Sequence, residues 1–379
     1  MTEDLSAEEY PIIKVEDLAY VFTKPEAFVE FKQSSEDFIV REILSFEPEG
    51  EGTHAFLYIK KTDTNTEWLI RQLARFAGVE AKNIGYAGLK DRNAVTYQWL
   101  SVNLEGIDEP DWETFDVTGC EIIKQTYHRR KLKRGSIKHN QFHIVLRELD
   151  VKYYDDISKK VEQIKHTGVP NYFAQQRFGH SYNNLSRAIS WFRDGKKIKK
   201  RAERSIILSA ARSMVFNQML SQRIVQFGWN TLLEGDVMML NGTHSVFLAE
   251  SIDEGLLKRF AENDIHPTTA LWGRGKLTSS KQLLVMEQAI AESLSNWCQG
   301  LENQGLKQER RASRLFPENL SISNEGFSSV EDSYSVEGSH SVEDSYSVED
   351  SYKKQNISLS FSLPSGSYAT AVLREIVQF

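Results

Sequence analysis

The sequence predicts a mixed α/β fold of the α+β type, with a mixed, mostly antiparallel sheet and a helix-rich insertion. Three observations lead to this fold class. The first 150 residues contain several segments in which apolar and polar residues alternate, as in half-buried strands. From about residue 155 long helical patterns dominate, and strand-like sequence returns at residues 357–379. A helical region between two strand-rich regions is typical of an insertion into a sheet domain.

The length of the chain also indicates two domains. A chain of 379 residues is too long for one small core. We expect a sheet domain formed by residues 1–165 and 316–379, and an inserted domain formed by residues 166–315. In this arrangement the last segment of the chain completes the sheet that the first segment begins.

Individual elements follow from periodicity and from capping residues. Strands are predicted at 37–44, 53–61, 94–104 and 141–149. The spacing of Leu69, Leu73 and Ala77 predicts a helix over 66–78 that ends at Gly78. Longer helices are predicted at 205–228 and 280–300, each of which opens on Ser and ends on Gly.

Motifs that would indicate a metal or a nucleotide cofactor are missing from the sequence. Cys120 and Cys298 lie far apart, which argues against a disulfide framework and a structural zinc site. The segment WGRGKLTSS at 272–280 resembles a P-loop, but its glycine spacing is wrong and Leu277 follows the Lys. The sequence contains no GxGxxG, HExxH or CxxC pattern. We therefore expect no cofactor and no metal.

Hydropathy and the N-terminal segment indicate a cytoplasmic protein. No apolar run approaches the ~18 residues that a membrane-spanning helix needs. The N-terminal segment is acidic and lacks an apolar core, so we expect no signal peptide. We also expect no membrane partner, and we expect a monomer.

The net charge of −7 is concentrated in one acidic segment. Residues 329–352 are four hexapeptides, SVEDSY, SVEGSH, SVEDSY and SVEDSY, which contain seven acids and no Lys or Arg. Without these acids the rest of the chain is neutral. A Ser-rich, acidic composition is typical of disorder. We therefore expect a surface loop that takes no part in chemistry.

The basic residues are clustered in two segments. Residues 124–139 contain seven Lys or Arg and no acid, and residues 193–204 contain seven against two acids. Such segments can follow the phosphates of a nucleic acid even when the whole chain is neutral. They can equally be solvated loops. Charge alone therefore leaves nucleic-acid binding open.

The segment GLKDRNAVTYQ at 88–98 places one carboxylate, Asp91, between Lys90 and Arg92 just before a predicted strand. Neighbouring cations favour the ionised form of a carboxylate. An ionised carboxylate can act as a nucleophile or as a general base. The same pattern also fits an exposed Asp in a turn. From the residues alone both interpretations stand.

With its neighbours, this segment resembles the central motif of the TruD family of tRNA pseudouridine synthases. The motif is present as Gly88-Leu89-Lys90-Asp91 followed by Ala94-Val95-Thr96-Tyr97-Gln98. Further segments resemble family motifs and occur in the family order: DFIVREI (37–43), RRKLKRGSIKHNQFHIVLRE (129–148), GVPNYFAQQRFG (168–179), ALWGRG (270–275) and LPSGSYATAVLREI (363–376). The resemblance covers nearly the whole chain. It is interrupted by the hexapeptides and by Tyr368, where Phe is usual in the family.

The resemblance implies a pseudouridine-synthase-like catalytic domain with a TruD-type inserted domain. It also implies a cofactor-free isomerase that converts a uridine of tRNA, position 13 in bacterial members, to pseudouridine. The catalytic aspartate of the family falls on Asp91. The implied substrate-binding residues are Lys32, Phe38, Lys90, Asn140, Phe142, Arg177 and Tyr368. We expect the RNA to bind between the two domains, along the two basic segments.

Three questions stay open at this stage. Asp91 could attack the sugar or remove its 2′ proton. The protein could be an RNA-binding module that has lost its chemistry, although the intact motif argues against this. It could also be a hydrolase that cuts the glycosidic bond and releases free uracil. A methyltransferase is disfavoured because no glycine-rich cofactor loop is present.

Overall fold

The computed structural model describes residues 9–327 and 354–379, so the hexapeptide segment lies outside the described residues. The described residues form two compact units. The sheet unit lies within Pro25–Lys165, Pro317–Gly366 and Ile376–Phe379, and the helical unit lies within Met1–Lys24, His166–Phe316 and Ser367–Glu375. In the part of the chain that is described, no helix is long and apolar enough to cross a membrane.

The strands and the helices are each numbered in chain order. The strands are β1 (Glu30–Phe31), β2 (Phe38–Leu44), β3 (His54–Thr62), β4 (Ile84–Tyr86), β5 (Val95–Asn103), β6 (Cys120–His128), β7 (Ile137–Asp150), β8 (Val169–Pro170), β9 (Val237–Leu240), β10 (Val246–Leu248), β11 (Ile265–Leu271), β12 (Glu309–Ala312), β13 (Arg314–Leu315), β14 (Glu318–Phe327) and β15 (Lys354–Pro364). The helices are α1 (Thr66–Phe76), α2 (Tyr154–Thr167), α3 (Asn183–Phe192), α4 (Arg201–Phe227), α5 (Glu254–Ala261), α6 (Lys281–Ser293), α7 (Ser295–Asn303) and α8 (Ala369–Leu373).

The sheet unit is built on a nine-stranded sheet. Its strand order is β14-β15-β7-β2-β5-β3-β6, with β1 paired to β7 and β4 paired to β5. The pairing of β2 with β5 is parallel and the other pairings are antiparallel. This mixed, mostly antiparallel sheet and the accompanying helices confirm the predicted fold class.

Helix α1 covers one face of the sheet. Its apolar stripe, represented by Leu69 and Leu73, is fully buried with Leu57 of β3 and Leu100 of β5. The side chain of Asn65 accepts hydrogen bonds from the first backbone N–H groups of the helix, as an N-cap does. The cap fixes where the helix begins, and its first residue, Thr66, donates to Gln98 Oε1 of β5 at 3.1 Å.

The helical unit is organised around the 27-residue helix α4. Met214, Phe216 and Leu220 of this helix are fully buried, and Trp297 of α7 lies in the same core. A small antiparallel sheet in the order β10-β9-β11-β12 and the two-stranded pair β13-β8 belong to the same unit. Residues 367–375, which include α8, also group with this unit.

Candidate active site

The register of the central sheet brings the predicted residues of the sheet unit to one face. Glu42 of β2 lies opposite Asn140 of β7. Two residues earlier on β2, Val40 lies opposite Phe142 of β7 and opposite Thr96 of β5. Since cross-strand partners point to the same face, and every second residue of a strand does so too, Glu42, Asn140 and Phe142 share a face.

Asp91 lies in the loop between β4 and β5, at the edge of this face. Its carboxylate is 45% exposed, and Lys32 Nζ lies 3.2 Å from Asp91 Oδ2. The same ammonium group lies 3.7 Å from the ring centroid of Phe38. An aromatic face attracts a cation, so Phe38 steadies the ammonium that pairs with Asp91. Lys32 has a positive φ of 58°, which is uncommon for a residue with a side chain.

The two chain neighbours of Asp91 form their contacts elsewhere. Lys90 Nζ lies 2.7 Å from Glu42 Oε2 and donates to Asn140 Oδ1 at 2.8 Å. Arg92 Nε donates to the backbone carbonyl of Asp63. The cation that pairs with the Asp91 carboxylate is therefore Lys32, which is distant in sequence, and not either of the flanking residues that the sequence alone brings to mind.

Glu42 is the buried partner that holds Lys90. Its side chain is fully buried, and the backbone N–H of Trp99 donates to its Oε1 at 3.2 Å. Burial raises the pKa of Glu42, and the positive charge and hydrogen bond of Lys90 act against this rise. The Lys90–Glu42 pair thus anchors the motif loop to the sheet.

Lys61 is a fully buried lysine beneath the same loop. It lies opposite Thr96 in the β3–β5 register, and its Nζ donates to the backbone carbonyl of Asp91 at 2.6 Å. Burial lowers the pKa of Lys61 to about 8, and the nearby Asp91 acts against this shift. Lys61 therefore fixes the main chain of Asp91, while Lys32 holds its carboxylate.

Sequence reasoning missed Lys61 and Glu42, although a signal for both exists. In β3, Leu57, Ile59 and Lys61 occupy alternate positions on the buried face, and in β2 the same holds for Val40 and Glu42. A charged residue at a position where the alternation requires an apolar one is rarely tolerated without a partner. Each of the two is partnered by the motif loop.

Lys61 gives a prediction for pH dependence. Its ammonium form, which makes the stronger hydrogen bond, is present below pH 8 and is lost as the pH rises through the lowered pKa of about 8. We expect activity to fall as the pH rises through this value in the wild-type protein. Lys61→Met should have lower activity at pH 7 and should lack this alkaline limb. An unchanged alkaline limb in Lys61→Met would show that Lys61 does not cause it.

Three aromatic rings extend from the Asp91 loop across the sheet. Phe142 stacks on Phe361 with a centroid distance of 5.4 Å and lies 6.0 Å from Phe38. Phe38 and Phe361 are 4% and 3% exposed, whereas Phe142 is more exposed. Phe142 is thus the ring of the three that a planar ligand could reach, and the other two support it.

The two remaining predicted residues, Arg177 and Tyr368, lie in the helical unit and are close to each other. The Arg177 guanidinium lies 5.5 Å from the ring centroid of Tyr368 and 5.5 Å from that of Phe173. Tyr368 and Phe173 themselves meet edge to face at 6.0 Å. Phe173 and Tyr368 thus form an aromatic corner, and the Arg177 guanidinium lies next to both rings.

The basic segments are partly occupied by local contacts. In the first, Arg129 lies 3.6 Å from Glu49, and the Arg134 guanidinium lies 5.0 Å from the ring centroid of Tyr86. Arg130 and Lys133 of this segment are exposed. In the second segment Arg193 pairs with its neighbour Asp194. Within residues 9–327 and 354–379, no three His, Cys, Asp or Glu side chains are grouped as a metal site.

The fold matches that of a solved protein. A crystal structure of a Methanosarcina mazei protein assigned as tRNA pseudouridine synthase D (TruD) superimposes with a TM-score of 0.71 over 95% of this chain and 95% of that chain, at 19% identity. The chain therefore has the fold of that protein.

Sequence comparison identifies the family. The family model for tRNA pseudouridine synthase D (TruD) matches residues 14–189 and 196–376. Proteins named tRNA pseudouridine synthase D are 42% identical in Methylococcus capsulatus, over 91% of this chain and 90% of that protein, and 38% identical in Hydrogenovibrio crunogenus, over 97% of both. A third, from Nitrosococcus oceani, is 41% identical over 95% of this chain and 94% of that protein. The chain belongs to the tRNA pseudouridine synthase D family.

Proposed function

We propose that this protein isomerises a uridine of tRNA, at position 13, to pseudouridine, and that Asp91 is its essential carboxylate. The observation that supports this most strongly is the contact of the Asp91 carboxylate with Lys32, on the sheet face that also presents Phe142 and Asn140. The chain that carries this arrangement is a member of the tRNA pseudouridine synthase D family. The reaction consumes no cofactor and requires no metal.

The chemistry explains why such a site suffices. The N1–C1′ glycosidic bond of the uridine breaks, the uracil turns, and a C5–C1′ bond forms to the same sugar. The C5 hydrogen leaves as a proton, N1 gains a proton, and no electrons are exchanged with a cofactor. What the enzyme must supply is a carboxylate at the sugar, either as nucleophile or as base, and a surface that keeps the detached uracil in place.

The positive charge of Lys32 reduces the repulsion between the catalytic carboxylate and the RNA. A carboxylate that approaches the RNA backbone is repelled by the phosphates. The Lys32 ammonium, 3.2 Å from Asp91 Oδ2, offsets this repulsion. Since the carboxylate is 45% exposed, it remains accessible to the sugar of a flipped-out nucleotide.

The hydrogen bond from Lys90 determines which group of the Asn140 amide can contact the uracil. A lysine ammonium only donates hydrogen bonds, so the Asn140 atom that faces Lys90 Nζ must be the amide oxygen. The NH₂ group of Asn140 is then directed as a donor, and a uracil carbonyl is its natural acceptor. Asn140 thus reads the edge of the base while Phe142 contacts its face.

Phe142 is expected to contribute base stacking. Stacking of a base on an aromatic side chain is worth roughly 1–3 kcal/mol, so Phe142→Ala should lower kcat/KM for tRNA by about 5- to 150-fold. The core variant Phe115→Leu, in the same unit but under α1, serves as a control that perturbs packing away from the site. Equal losses in both variants would mean that Phe142 acts only through stability.

We propose that residues 1–165 and 316–379 act as the catalytic domain, that residues 166–315 act as the TruD-type inserted domain, and that the protein works as a cytoplasmic monomer. Arg177 and Tyr368 are proposed to contact the RNA. The 45% exposure of Asp91 and the presence of the paired Lys32 within one chain support a site that needs no second subunit.

The modified position can be tested directly. Unmodified tRNA is incubated with the purified protein, and pseudouridine is mapped along the sequence by chemical modification and primer extension. We expect a single modification at uridine 13 and none in a tRNA that carries cytidine at that position. Modification at another uridine, with position 13 unmodified, would contradict the assigned substrate site while leaving the isomerase activity in place.

A further inference from the structure

Several arginines of the helical unit that are largely removed from solvent are neutralised by an acid. Four of them illustrate the pattern, with N–O distances of 2.5–2.9 Å. The pairs are Arg212–Glu309, Arg223–Asp236, Arg310–Glu287 and Arg374–Glu375. Because an isolated charge is costly to remove from water, such pairing is the expected state of an arginine within a folded unit.

Arg177 departs from this pattern. Among the described residues it forms no ion pair, its Nη1 donates to Ser209 Oγ at 3.2 Å, and its Nε is buried without a hydrogen-bond partner. Arg314 also pairs with no acid in the described part of the chain, but it donates to His266, Asn230 and two backbone carbonyls. Arg177 instead keeps unused donors, and it is only partly buried, so a ligand can reach it.

A second guanidinium stands beside Arg177. Arg311 lies 4.2 Å from the ring centroid of Phe173, the same ring that Arg177 contacts at 5.5 Å, and it donates to Asn171 Oδ1 at 2.6 Å. Burial lowers the pKa of Arg311 to about 10, with Tyr368 acting against this shift and the positive charge of Arg177 adding to it. Arg177 and Arg311 thus place two positive charges against one aromatic corner. An anion next to the unused donors of Arg177 would be attracted by both charges.

We propose that the corner formed by Arg177, Arg311, Phe173 and Tyr368 binds one phosphodiester group of the RNA substrate. The planar guanidinium offers two parallel donors to the oxygens of a phosphate, and the aromatic rings hold the guanidinium in position for them. The Tyr368 hydroxyl can donate to the same anion. This inference rests on the proposed function, because it takes RNA as the source of the phosphate, and it assigns a role to Arg311 that sequence reasoning did not give it.

The salt dependence of tRNA binding tests the proposal. Each phosphate contact makes the logarithm of the binding constant fall with the logarithm of salt concentration by about 0.7–0.9 in slope. We expect the slope for unmodified tRNA to be shallower by about this amount in Arg177→Gln than in the wild type. Arg177→Lys should keep the salt dependence of the wild type but bind tRNA more weakly, since lysine retains the charge and lacks the two parallel donors of the guanidinium. Arg259→Gln is the matched control, because Arg259 also lies over a ring but already pairs with Asp264.

The outcomes separate this site from the proposed function. A wild-type slope and affinity in both Arg177 variants, or an equal change in Arg259→Gln, overturns the phosphate site. If Arg177→Gln unfolds at a lower temperature than the wild type, Arg177→Lys decides alone, and wild-type affinity in it overturns the site. Pseudouridine formation by the wild type is measured in parallel. Its absence together with the expected slope change would remove the proposed function and leave the phosphate site standing.

Discussion

Asp91→Asn should lose pseudouridine formation almost completely while keeping its affinity for tRNA. The substitution preserves the shape of the side chain but removes the charge that pairs with Lys32 and that the reaction needs. A general base alone contributes about 10²–10⁴-fold, so we expect the rate of the chemical step to fall by about 10²-fold or more. The rate is measured under single-turnover conditions, and binding is measured by filter retention of labelled tRNA.

Asp63→Asn is the control for this prediction. Asp63 is an exposed acid in the same unit, and its backbone carbonyl, which the substitution leaves unchanged, accepts from Arg92. We expect this variant to keep wild-type activity. Activity of Asp91→Asn within about tenfold of the wild type would contradict the role of Asp91, since even modest general-base catalysis exceeds that factor.

Lys90→Met should produce the largest loss of stability among the variants of the motif. Lys90 and Glu42 form a buried ion pair with side chains that are 6% and 0% exposed, and removal of one partner of such a pair costs about 3–5 kcal/mol. The free energy of unfolding is measured by urea denaturation. Lys60→Met is the control, because Lys60 lies on β3 and points to the face of the sheet opposite to the buried Lys61, and this change should cost much less.

Glu42 determines how the stability of Lys90→Met changes with pH. Burial already raises the pKa of Glu42, and Lys90 opposes this rise. Without Lys90 the folded state therefore holds the Glu42 proton to a higher pH than the unfolded state does, and the variant loses stability as the pH rises through this window. The deficit of Lys90→Met relative to the wild type should be smaller at pH 5 than at pH 8. A deficit that does not change with pH would show that Glu42 is not left unpaired.

A double substitution distinguishes the effect of Lys90 on stability from its effect on activity. Replacing both partners of a buried ion pair by apolar residues often restores stability. We expect Lys90→Met with Glu42→Met to recover most of the lost free energy of unfolding. The double variant should stay impaired in activity, because Lys90 also orients the Asn140 amide.

Much of the sheet unit could be predicted from the sequence because its signals are local. Alternation of apolar and polar residues placed β2, β3 and β5 within one residue of their observed bounds. It also placed Phe142 and Ile144 on the same face of β7, although β7 begins at Ile137, four residues before the predicted start at 141. The helix predicted over 66–78 is observed as Thr66–Phe76, with Asn65 as its cap. The predicted helix over 280–300 is instead two helices, because the chain leaves helical geometry at Leu294, where φ is −113°.

The contacts of the candidate site could not be predicted because they depend on tertiary structure. Proximity in the sequence suggested that Lys90 and Arg92 lie next to the Asp91 carboxylate. That carboxylate instead pairs with Lys32, which is 59 residues away. The loop reverses direction between β4 and β5, so neighbouring side chains diverge from one another. Lys61 likewise contacts the main chain of Asp91 only because the chain is folded. The two residues are 30 positions apart, and no local sequence pattern indicates a hydrogen bond between them.

Release of tritium from tRNA that carries [5-³H]uridine tests the central claim most directly. When C5 becomes the carbon bonded to the sugar, its hydrogen leaves to water, whereas cleavage without re-formation leaves the label on free uracil. We expect one equivalent of tritium per tRNA in water, no free uracil, and no release by Asp91→Asn. Free labelled uracil would establish a hydrolase instead, and bound tRNA with no label released would leave a binding protein without the chemistry.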